Sequence, residues 1–553
     1  MTRFNTCCVL ILCAALGAAM ASVCGADDFV RDLQTRAIQK NQSPLGHWGP
    51  IPDIYVGWKS HSNRLIPVYT FGTRGVGQGV DLSGYTGANS AYRNEKALRR
   101  IYGRVPTNTL NPHAEYLDQT DLAALQRAGF AAGKKHVFLV IFDGMDWQTT
   151  WAAAIYNRRK IAYRSGRGEG THFQEYLAGN TTQFGFMVTT PHNEGTVTNV
   201  DEQRILNPGG TQPGGYNVRK MGPDPWTPGE DPFYPIGKSN VNPALPGEHA
   251  YPDSAATATA MTSGVKTYND SINCDPTGGQ VATIAHEAQD RGQAIGVVTS
   301  VPISHATPAC AYAHNVHRDD YQDLTRDLVG LRSISHPRQP LPGVDVLIGG
   351  GFGDVREKDE EKTQGKNFVP GNAWITADDL HTIDAANKGK YVVAMRTAGV
   401  NGRDRLAGQA RQAAQKGQRL FGFYGKVKGH LPFQTADGAY NPTIGNTLKA
   451  EEYTAADLDE NPKLADMTAA ALTVLEKNLK GFWLMVEAGD VDWANHDDNI
   501  DNSIGAVNSG DAAVQTITDW VERRSNWNES LLIVTADHGH YFVFEKPELL
   551  IGK

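Results

Sequence analysis

Short apolar runs that alternate with helical patterns constrain the fold of this chain most. A clear helical pattern precedes the fourth run, and Gly481 follows its end. One face of this helix would carry Leu464, Met467, Ala471, Val474, Leu475 and Leu479. This alternation predicts an α/β protein with a largely parallel central sheet flanked by helices. The runs are residues 137–142, 295–298, 344–348, 482–486 and 531–534.

The rest of the chain predicts one domain with long surface insertions. Residues 207–251 are dense in Pro and Gly, which indicates a long surface excursion. Residues 354–462 mix charge runs with helical pieces, which is typical of a cap or substructure. We therefore expect a single catalytic domain over residues 27–553 with insertions at 207–251 and 354–462.

The first residues have the pattern of a secretory signal peptide. An early Arg3, an apolar stretch over residues 7–16 and small residues before an acidic start predict a leader over residues 1–26. A membrane anchor is disfavoured because the strongly apolar part is too short to span a bilayer, and lipidation at Cys24 is a minor alternative. The chain is therefore expected to be secreted or periplasmic. Outside the leader are Cys274 and Cys310, and whether they pair stays open.

Charge disfavours a nucleic-acid partner. The 553 residues carry 60 acidic and 52 basic side chains, a formal net charge of −8, without a long Lys/Arg run. A nucleic-acid-binding module is therefore not expected, and a small molecule is the default partner.

Chemically active side chains follow several of the apolar runs. In an open α/β sheet, ligands bind outside the carboxyl ends of the strands, so these side chains should meet at one edge. Two of them, Asp492 and His496, are four residues apart and would share one face of a helix. The composition is that of a metal site: Asp143, Glu487, Asp492, His496, Asp537, His538 and His540.

Each of these motifs also has an ordinary structural interpretation. An Asp-Gly pair after a strand is most often a turn, and a histidine at a strand end often caps or hydrogen-bonds. Pairs such as Asp492 and His496 also occur on solvent-facing helices. Their joint occurrence favours a metal site.

The stretch "YPDSAATATAMTSGVKT" contains a candidate nucleophile, Ser254. Small, helix-compatible residues follow it, so its hydroxyl would lie at a helix N-terminus, where backbone N–H groups and the helix dipole favour an anion. The alternative is an ordinary helix cap formed by Asp253 and Ser254.

These segments resemble the alkaline phosphatase family across most of the chain. Residues 253–259 and 264–267 are similar to its nucleophile segment, Asp143-Gly144-Met145 to its first metal strand, and "TADHGH" to its Asp-His pair. In "HATPACAYAHNVHR", Thr307 and Arg318 have the spacing of a metal-binding threonine and a phosphate-binding arginine. The resemblance implies hydrolysis of small phosphate monoesters through a phosphoserine at Ser254, in a possible homodimer.

The resemblance also implies two zinc ions and one magnesium ion. One zinc would bind Asp492, His496 and a third ligand, and the other would bind Asp143, Asp537 and His538. Magnesium would bind Asp143, Thr307 and Glu487. The ligand types agree with this independently, since histidine with carboxylate suits zinc and an all-oxygen site suits magnesium.

The third ligand of the first zinc is where the chain departs from the family order. That histidine usually follows the Asp-His pair by some tens of residues, whereas here His540 is the last histidine and is expected to point elsewhere. The stretch "SHSNRLIPVYTFG", with His61 ahead of an apolar strand, resembles the missing element. We therefore predict a circular permutation in which residues 27–103 supply the usual C-terminal part. The alternative is a surface His61, with His540 or water completing the site.

Two further residues are expected to tune the site. His305 lies two residues before Thr307, and Trp493 follows Asp492, at positions where other members carry acidic or basic residues. A histidine near the third ion leaves its identity open between magnesium and another divalent metal.

Other functions remain as alternatives. A phosphodiesterase or sulfatase could use a related scaffold, although the sequence lacks a Cys-x-Pro-x-Arg sulfatase signature and Arg318 favours a dianionic monoester. A secreted metal- or phosphate-binding protein without catalysis is an alternative of another class, and the presence of both Ser254 and Arg318 disfavours it.

Overall fold

The computed structural model describes residues 29–56, 61–236, 249–360, 362–426 and 429–552. The predicted signal peptide and Cys24 lie outside the described residues, as does part of the insertion predicted at 207–251. Cys274 and Cys310 are both buried free thiols. Among the described helices, none is both long enough and apolar enough to span a membrane.

Ten strands form the central sheet of the described chain, in the order β7-β8-β6-β5-β9-β3-β10-β1-β4-β2. Strand β1 pairs antiparallel with β10 and β4, and every other pairing in the sheet is parallel. The predicted largely parallel α/β fold is confirmed. The strands are β1 (Ile66–Phe71), β2 (Leu117–Asp118), β3 (His136–Phe142), β4 (Gln183–Val188), β5 (Ala294–Pro302), β6 (Val346–Gly350), β7 (Tyr391–Met395), β8 (Arg419–Phe423), β9 (Phe482–Ala488) and β10 (Ser530–Thr535).

The central strands are mostly apolar and are buried along almost their whole length, because helices flank the sheet. Strand β3, HVFLVIF, is buried from Val137 to Phe142, and β9 is buried throughout. Such runs lack the alternation of a half-exposed strand and are typical of parallel sheets in α/β proteins. All five predicted runs became strands of this sheet.

Sixteen α-helices surround the sheet in the described chain. Helices α4, α12, α14 and α16 form one connected group, and α3, α7, α8 and α9 form another. The helices are α1 (Phe29–Lys40), α2 (Glu95–Tyr102), α3 (Asp121–Ala131), α4 (Trp147–Arg158), α5 (His172–Glu175), α6 (Val218–Met221), α7 (Ser254–Ser263), α8 (Ile284–Asp290), α9 (Ala306–Cys310), α10 (Tyr321–Val329), α11 (Ala377–Ile383), α12 (Gly402–Lys416), α13 (Ala455–Asp459), α14 (Leu464–Leu475), α15 (Asp490–His496) and α16 (Ile500–Arg524).

The segment 354–462, expected to be an insertion, is more than a surface cap. It supplies β7 and β8, which pair parallel with each other and extend the sheet beyond β6. Helix α12 connects the two strands, as a crossover between parallel strands requires. The remaining described parts of 354–462 form loops, short helices and a short antiparallel pairing of Val355–Arg356 with Gly371–Asn372.

The two ends of the described chain are joined. Gly46–Trp48 pairs antiparallel with Phe542–Phe544, and β1 pairs with β10 in the sheet. Residues near the start of the chain therefore lie beside residues near its end, at the edge of the sheet where β3, β9 and β10 terminate.

Candidate active site

Four neighbouring strands deliver the predicted site residues to one edge of the sheet. Asp143 follows β3, Glu487 lies near the end of β9, and Asp537 follows β10. Beyond β5 the chain enters α9, which carries Thr307. Because β5, β9, β3 and β10 are consecutive in the sheet, residues distant in sequence converge there.

Ser254 is the first residue of α7 and is buried. Asp253 caps the helix by accepting the backbone N–H of Ala256 at 2.9 Å. The Ser254 hydroxyl oxygen lies 3.2 Å from His538 Nε2 and 3.4 Å from Asp143 Oδ1. The serine therefore lies at a helix N-terminus and in contact with potential metal ligands, so its interpretation as a mere helix cap is insufficient.

Asp143, Asp537 and His538 form the inner cluster, a group with the composition of a metal site. His538 Nε2 lies 3.2 Å from Asp143 Oδ1 and 3.5 Å from Asp537 Oδ2. The backbone N–H groups of Gly144 and His538 both donate to Asp537 Oδ1 at 2.9 Å. The loops after β3 and β10 therefore orient this carboxylate.

Burial and mutual repulsion raise the pKa values of two carboxyl groups at this edge of the sheet, those of Asp143 and Glu487. Burial raises the pKa of Asp143 well above its usual value, and the charges of Asp537, Asp492 and Glu487 add to the rise. Burial also raises the pKa of Glu487 to about 8. Carboxyl groups so close together cannot all be anionic without a compensating cation nearby.

His61, Asp492, His496 and His540 form the outer cluster, with donor atoms close enough to share one ion. His61 Nε2 lies 2.9 Å from His496 Nε2 and 3.5 Å from Asp492 Oδ1. Burial would raise the pKa of Asp492, but the neighbouring His496, His540 and His61 lower it well below its usual value. Asp492 and His496 share a face of α15, as their spacing predicts.

The structure places His61 inside the site. Its Nδ1 lies 2.7 Å from the carbonyl oxygen of Pro252, two residues before Ser254. A carbonyl oxygen only accepts, so Nδ1 carries the proton and Nε2 presents its lone pair to the outer cluster. The alternative of a surface His61 is therefore wrong.

The expectation that His540 points elsewhere is also wrong. Its Nε2 lies 2.6 Å from Asp492 Oδ1. Gly539 forms an antiparallel bridge with Ser62, so residues 538–540 are extended locally and His538 and His540 share a face. Gly144 permits this packing, because it has φ +72° and a Cβ there would lie 2.7 Å from the His540 ring.

Asp143, His305 and Glu487 form the third cluster, beside Thr307. Thr299 donates to Glu487 through its hydroxyl. Burial lowers the pKa of His305 to about 3, and the charge of Arg318 lowers it further. The His305 side chain is therefore uncharged, and the other members of the third cluster offer oxygen atoms as ligands.

The donor atoms fit divalent metal ions. At the third cluster and Thr307, three buried oxygens have no hydrogen-bond partner among the described residues: Asp143 Oδ2, Thr307 Oγ1 and Glu487 Oε1. Buried oxygens without a donor cost free energy, and so do clustered carboxylates without a counter-ion. A bound cation removes both costs, and histidine with carboxylate is a common ligand set for one.

An ion pair with Asp253 holds Arg318 beside the candidate nucleophile, Ser254. Its guanidinium donates to Asp253 Oδ2 at 3.1 Å, and its other terminal nitrogen lies 3.4 Å from His305 Nε2. Burial would lower the pKa of Arg318, but Asp253, Asp319 and Asp270 raise it above its usual value. The side chain is a fixed positive charge beside Ser254.

An open cleft of about 940 Å³ leads to Ser254 and Arg318. The half-buried Trp493 lines it, with His305 and His430 close to its ring at centroid distances of 5.9 and 5.1 Å. Sequence reasoning missed the opposite wall, which residues between 426 and 451 form, including Lys426, Phe433 and Glu451. The position of this segment directly after β8 could have indicated this wall, because loops that follow the strands of an open α/β sheet line its ligand-binding cleft.

Comparison with known families gives a match over more than half of the chain. The model of the alkaline phosphatase family matches residues 229–550. Alkaline phosphatase 4 of Bacillus subtilis is 29% identical over 287 residues, which are 52% of this chain and 49% of that protein. The tissue-nonspecific alkaline phosphatase of Gallus gallus is 30% identical over 317 residues, 53% of this chain and 54% of that protein. The chain thus spans about half the length of these relatives.

Solved structures with partial similarity include two bacterial enzymes. The cold-active alkaline phosphatase from Shewanella sp. has 19% identity and a TM-score of 0.42, covering 73% of this chain and 68% of that one. The alkaline phosphatase from the Antarctic bacterium TAB5 has 19% identity and a TM-score of 0.41, covering 74% of this chain and 80% of that one.

Proposed function

The chain belongs to the alkaline phosphatase family, and we propose that it hydrolyses phosphate monoesters through a phosphoserine at Ser254. One observation carries the proposal: Ser254 lies at the start of α7, in contact with the inner cluster and beside Arg318 on Asp253. A nucleophile, potential metal ligands and a fixed positive charge therefore surround one point in an open cleft.

Ser254 is placed to attack the phosphorus atom. The N-terminus of α7 presents backbone N–H groups and the positive end of the helix dipole to an anion at this position. The serine oxygen forms the new P–O bond as the bond to the leaving alcohol breaks, and water later releases inorganic phosphate from the serine.

Arg318 is placed to bind the phosphoryl oxygens. A guanidinium can donate to two non-bridging oxygens at once, which fixes the orientation of the group during transfer. Asp253 orients the side chain, since it accepts from Arg318 and from the backbone N–H of Asp270 at 3.0 Å. Charge on the equatorial oxygens makes such positioning the main task of the protein.

The clusters would hold the metal ions of the site. His61, Asp492 and His496 would bind one zinc, and the inner cluster would bind a second. Asp143, Thr307 and Glu487 would bind magnesium, for which oxygen donors are suited, although His305 nearby also suits a zinc-like ion. When bound, the ions supply Lewis acidity that favours a serine alkoxide and balances charge on the leaving oxygen.

We further propose that residues 27–103 supply a part of the fold that is usually C-terminal. Three observations support this circular permutation: β1 pairs with β10, Ser62 bridges Gly539, and His61 joins the outer cluster. The match to the family model begins at residue 229, well after this segment.

Trapping of the phosphoenzyme tests the proposed mechanism. Labelled phosphate monoester, quenched in acid, should leave one phosphoryl group on Ser254, and Ser254→Ala should abolish both label and turnover. Ser263→Ala is the matched control, because Ser263 is also buried and lies at the other end of α7. Equal labelling of Ser254→Ala and the control would rule out the serine.

A substrate panel separates the remaining functions. p-Nitrophenyl phosphate should be hydrolysed far faster than the bis(p-nitrophenyl) diester or the sulfate ester, because Arg318 suits a dianion. Preference for the diester or the sulfate would indicate a related hydrolase, and no EDTA-sensitive turnover of any of them would indicate a binding protein.

We also propose that the chain is exported and acts as a homodimer on small phosphate monoesters. The apolar leader at 1–26 supports export. Cell fractionation with and without residues 1–26 tests it, and sedimentation of the purified chain measures its oligomeric state. A full-length chain that stays in the cytoplasm would contradict export.

A further inference from the structure

A second group of histidines lies outside the three clusters of the active site. His314 lies between α9 and α10, Asp327 is on α10, and His336 follows in the next loop. Each offers one donor atom, and these atoms lie within 4.8 Å of one another. These three residues have no role in the proposed phosphate chemistry.

His314 presents a buried lone pair. Its Nε2 lies 2.9 Å from the carbonyl oxygen of Val281, so Nε2 carries the proton and Nδ1 is the acceptor. The residue is 6% exposed, and across the described residues its Nδ1 has no hydrogen-bond partner. An acceptor buried in this way costs free energy unless a donor or a cation meets it.

Asp327 and His336 complete the group. Asp327 is fully buried and accepts the backbone N–H of His314 at 3.0 Å and the hydroxyl of Ser333. His336 Nδ1 lies 2.9 and 3.0 Å from the two oxygens of Asp327. The His336 side chain is 13% exposed, so the group is open to solvent on that side.

We infer that His314, Asp327 and His336 bind a transition-metal ion of the zinc type, separate from the active site. Two imidazole nitrogens, one carboxylate oxygen and a water from the open side make the four ligands that zinc prefers. With bonds of about 2.0–2.1 Å, tetrahedral ligand atoms lie about 3.4 Å apart, so a small inward movement suffices. On binding, Nδ1 of neutral His336 loses its proton to solvent while Nε2 takes one up from solvent, so the ring changes tautomer and stays neutral.

The surrounding hydrogen bonds resemble those that orient metal ligands elsewhere. A ligating histidine usually donates its other N–H to a carbonyl or carboxylate, as His314 does to Val281. A ligating carboxylate is usually hydrogen-bonded itself, as Asp327 is by Ser333. The ion would tie the loop that carries His336 to His314 and to Asp327 on α10, and its role would be structural.

Metal content of the full chain tests this site. Zinc per chain is measured after saturation and desalting for the parent, for His336→Gln and for the control His172→Gln. His172 is also partly buried, and its ring bonds Thr518 at 2.8 Å. We expect His336→Gln to lose one zinc relative to both others while keeping the parent's turnover. Equal zinc in all three would overturn the inference, whether or not the chain is a phosphatase.

His336→Cys gives a second test that a failure to fold cannot imitate. A thiolate at this position should still bind the ion, and the cobalt-loaded variant should gain a sulfur-to-cobalt absorption that cobalt-loaded parent lacks. Zinc should also raise the Tm of the parent more than that of His336→Gln. A folded His336→Cys chain without the absorption would show that the pair is only a hydrogen-bonded histidine and carboxylate.

Discussion

The inner and outer clusters use the same residue types but are built differently. In the inner cluster, Asp143, Asp537 and His538 are 0% exposed and follow the adjacent strands β3 and β10. In the outer cluster, the side chains of His496 and His61 are 39% and 12% exposed. Its donors come from α15, from the loop before β1 and from the loop after β10.

The central sheet fixes the positions of the inner-cluster residues directly, whereas the outer cluster depends on contacts between residues that are far apart in the sequence. The register of β3 with β10 sets the inner ligands, since those strands pair parallel along six residue pairs. The outer ligands meet because the chain brings residue 61 beside residues 492 and 540. We therefore expect the inner ion to be bound more tightly and to matter more for turnover.

The largest effect is expected for His538→Ala in the inner cluster. The variant loses a buried side chain of the inner cluster that also contacts Ser254, and a Lewis acid bound there would supply several kcal/mol, so kcat should fall by on the order of 10³-fold. Steady-state kinetics in excess zinc measure it. A fall in kcat of less than tenfold would contradict the proposal that the inner cluster holds the ion that activates Ser254.

A smaller effect is expected for His61→Ala in the outer cluster. The affinity of the outer cluster for zinc should fall by at least about 10²-fold. Removing a residue that only orients a metal ligand already lowers metal affinity by about 10–100-fold, and removing a ligand should cost more. Excess zinc should restore part of the activity, since Asp492, His496 and His540 remain. Zinc titration against activity measures this, with the exposed His113→Ala as control. Full zinc occupancy and unchanged activity at limiting zinc would reject both the ligand and the proposed permutation.

The smallest effect is a difference in the rates of metal release. On addition of EDTA to His336→Gln, in which the separate site is absent, the two active-site zinc ions should leave in two phases, with the ion of the more exposed outer cluster leaving several-fold faster. A zinc-sensitive dye follows release, and His61→Ala should remove the faster phase alone. A single rate constant for both ions would mean that their difference in exposure has no kinetic consequence.

Local patterns in the sequence predicted the strongest elements of the fold. Continuous apolar runs became β3, β5, β6, β9 and β10, because strands buried on both faces need no alternation. The pattern before β9 became α14, Leu464–Leu475, but the expectation that Leu479 shares its apolar face is wrong, because Leu479 follows the helix and is 94% exposed. Strands β7 and β8 have five residues each, like β6, but they were not predicted because they lie in a segment that mixes charge runs with helical pieces.

The parts of the site that depend on long-range pairing were harder to predict. Asp143, Asp492 and His538 follow strands or share a helix face, so their placement follows from local rules. The role of His540 depended on the bridge between Gly539 and Ser62, which no local pattern indicates. The wall of the cleft at residues 426–451 carries no motif and was missed.

A crystal structure of the zinc-loaded chain with vanadate tests the central claim most directly. We expect vanadium bonded to Ser254 Oγ, two of its oxygens on the Arg318 guanidinium, and zinc about 2.0–2.1 Å from the nitrogens of His538 and His61. Vanadate bound away from Ser254, or an outer zinc that His61 does not touch, would contradict it.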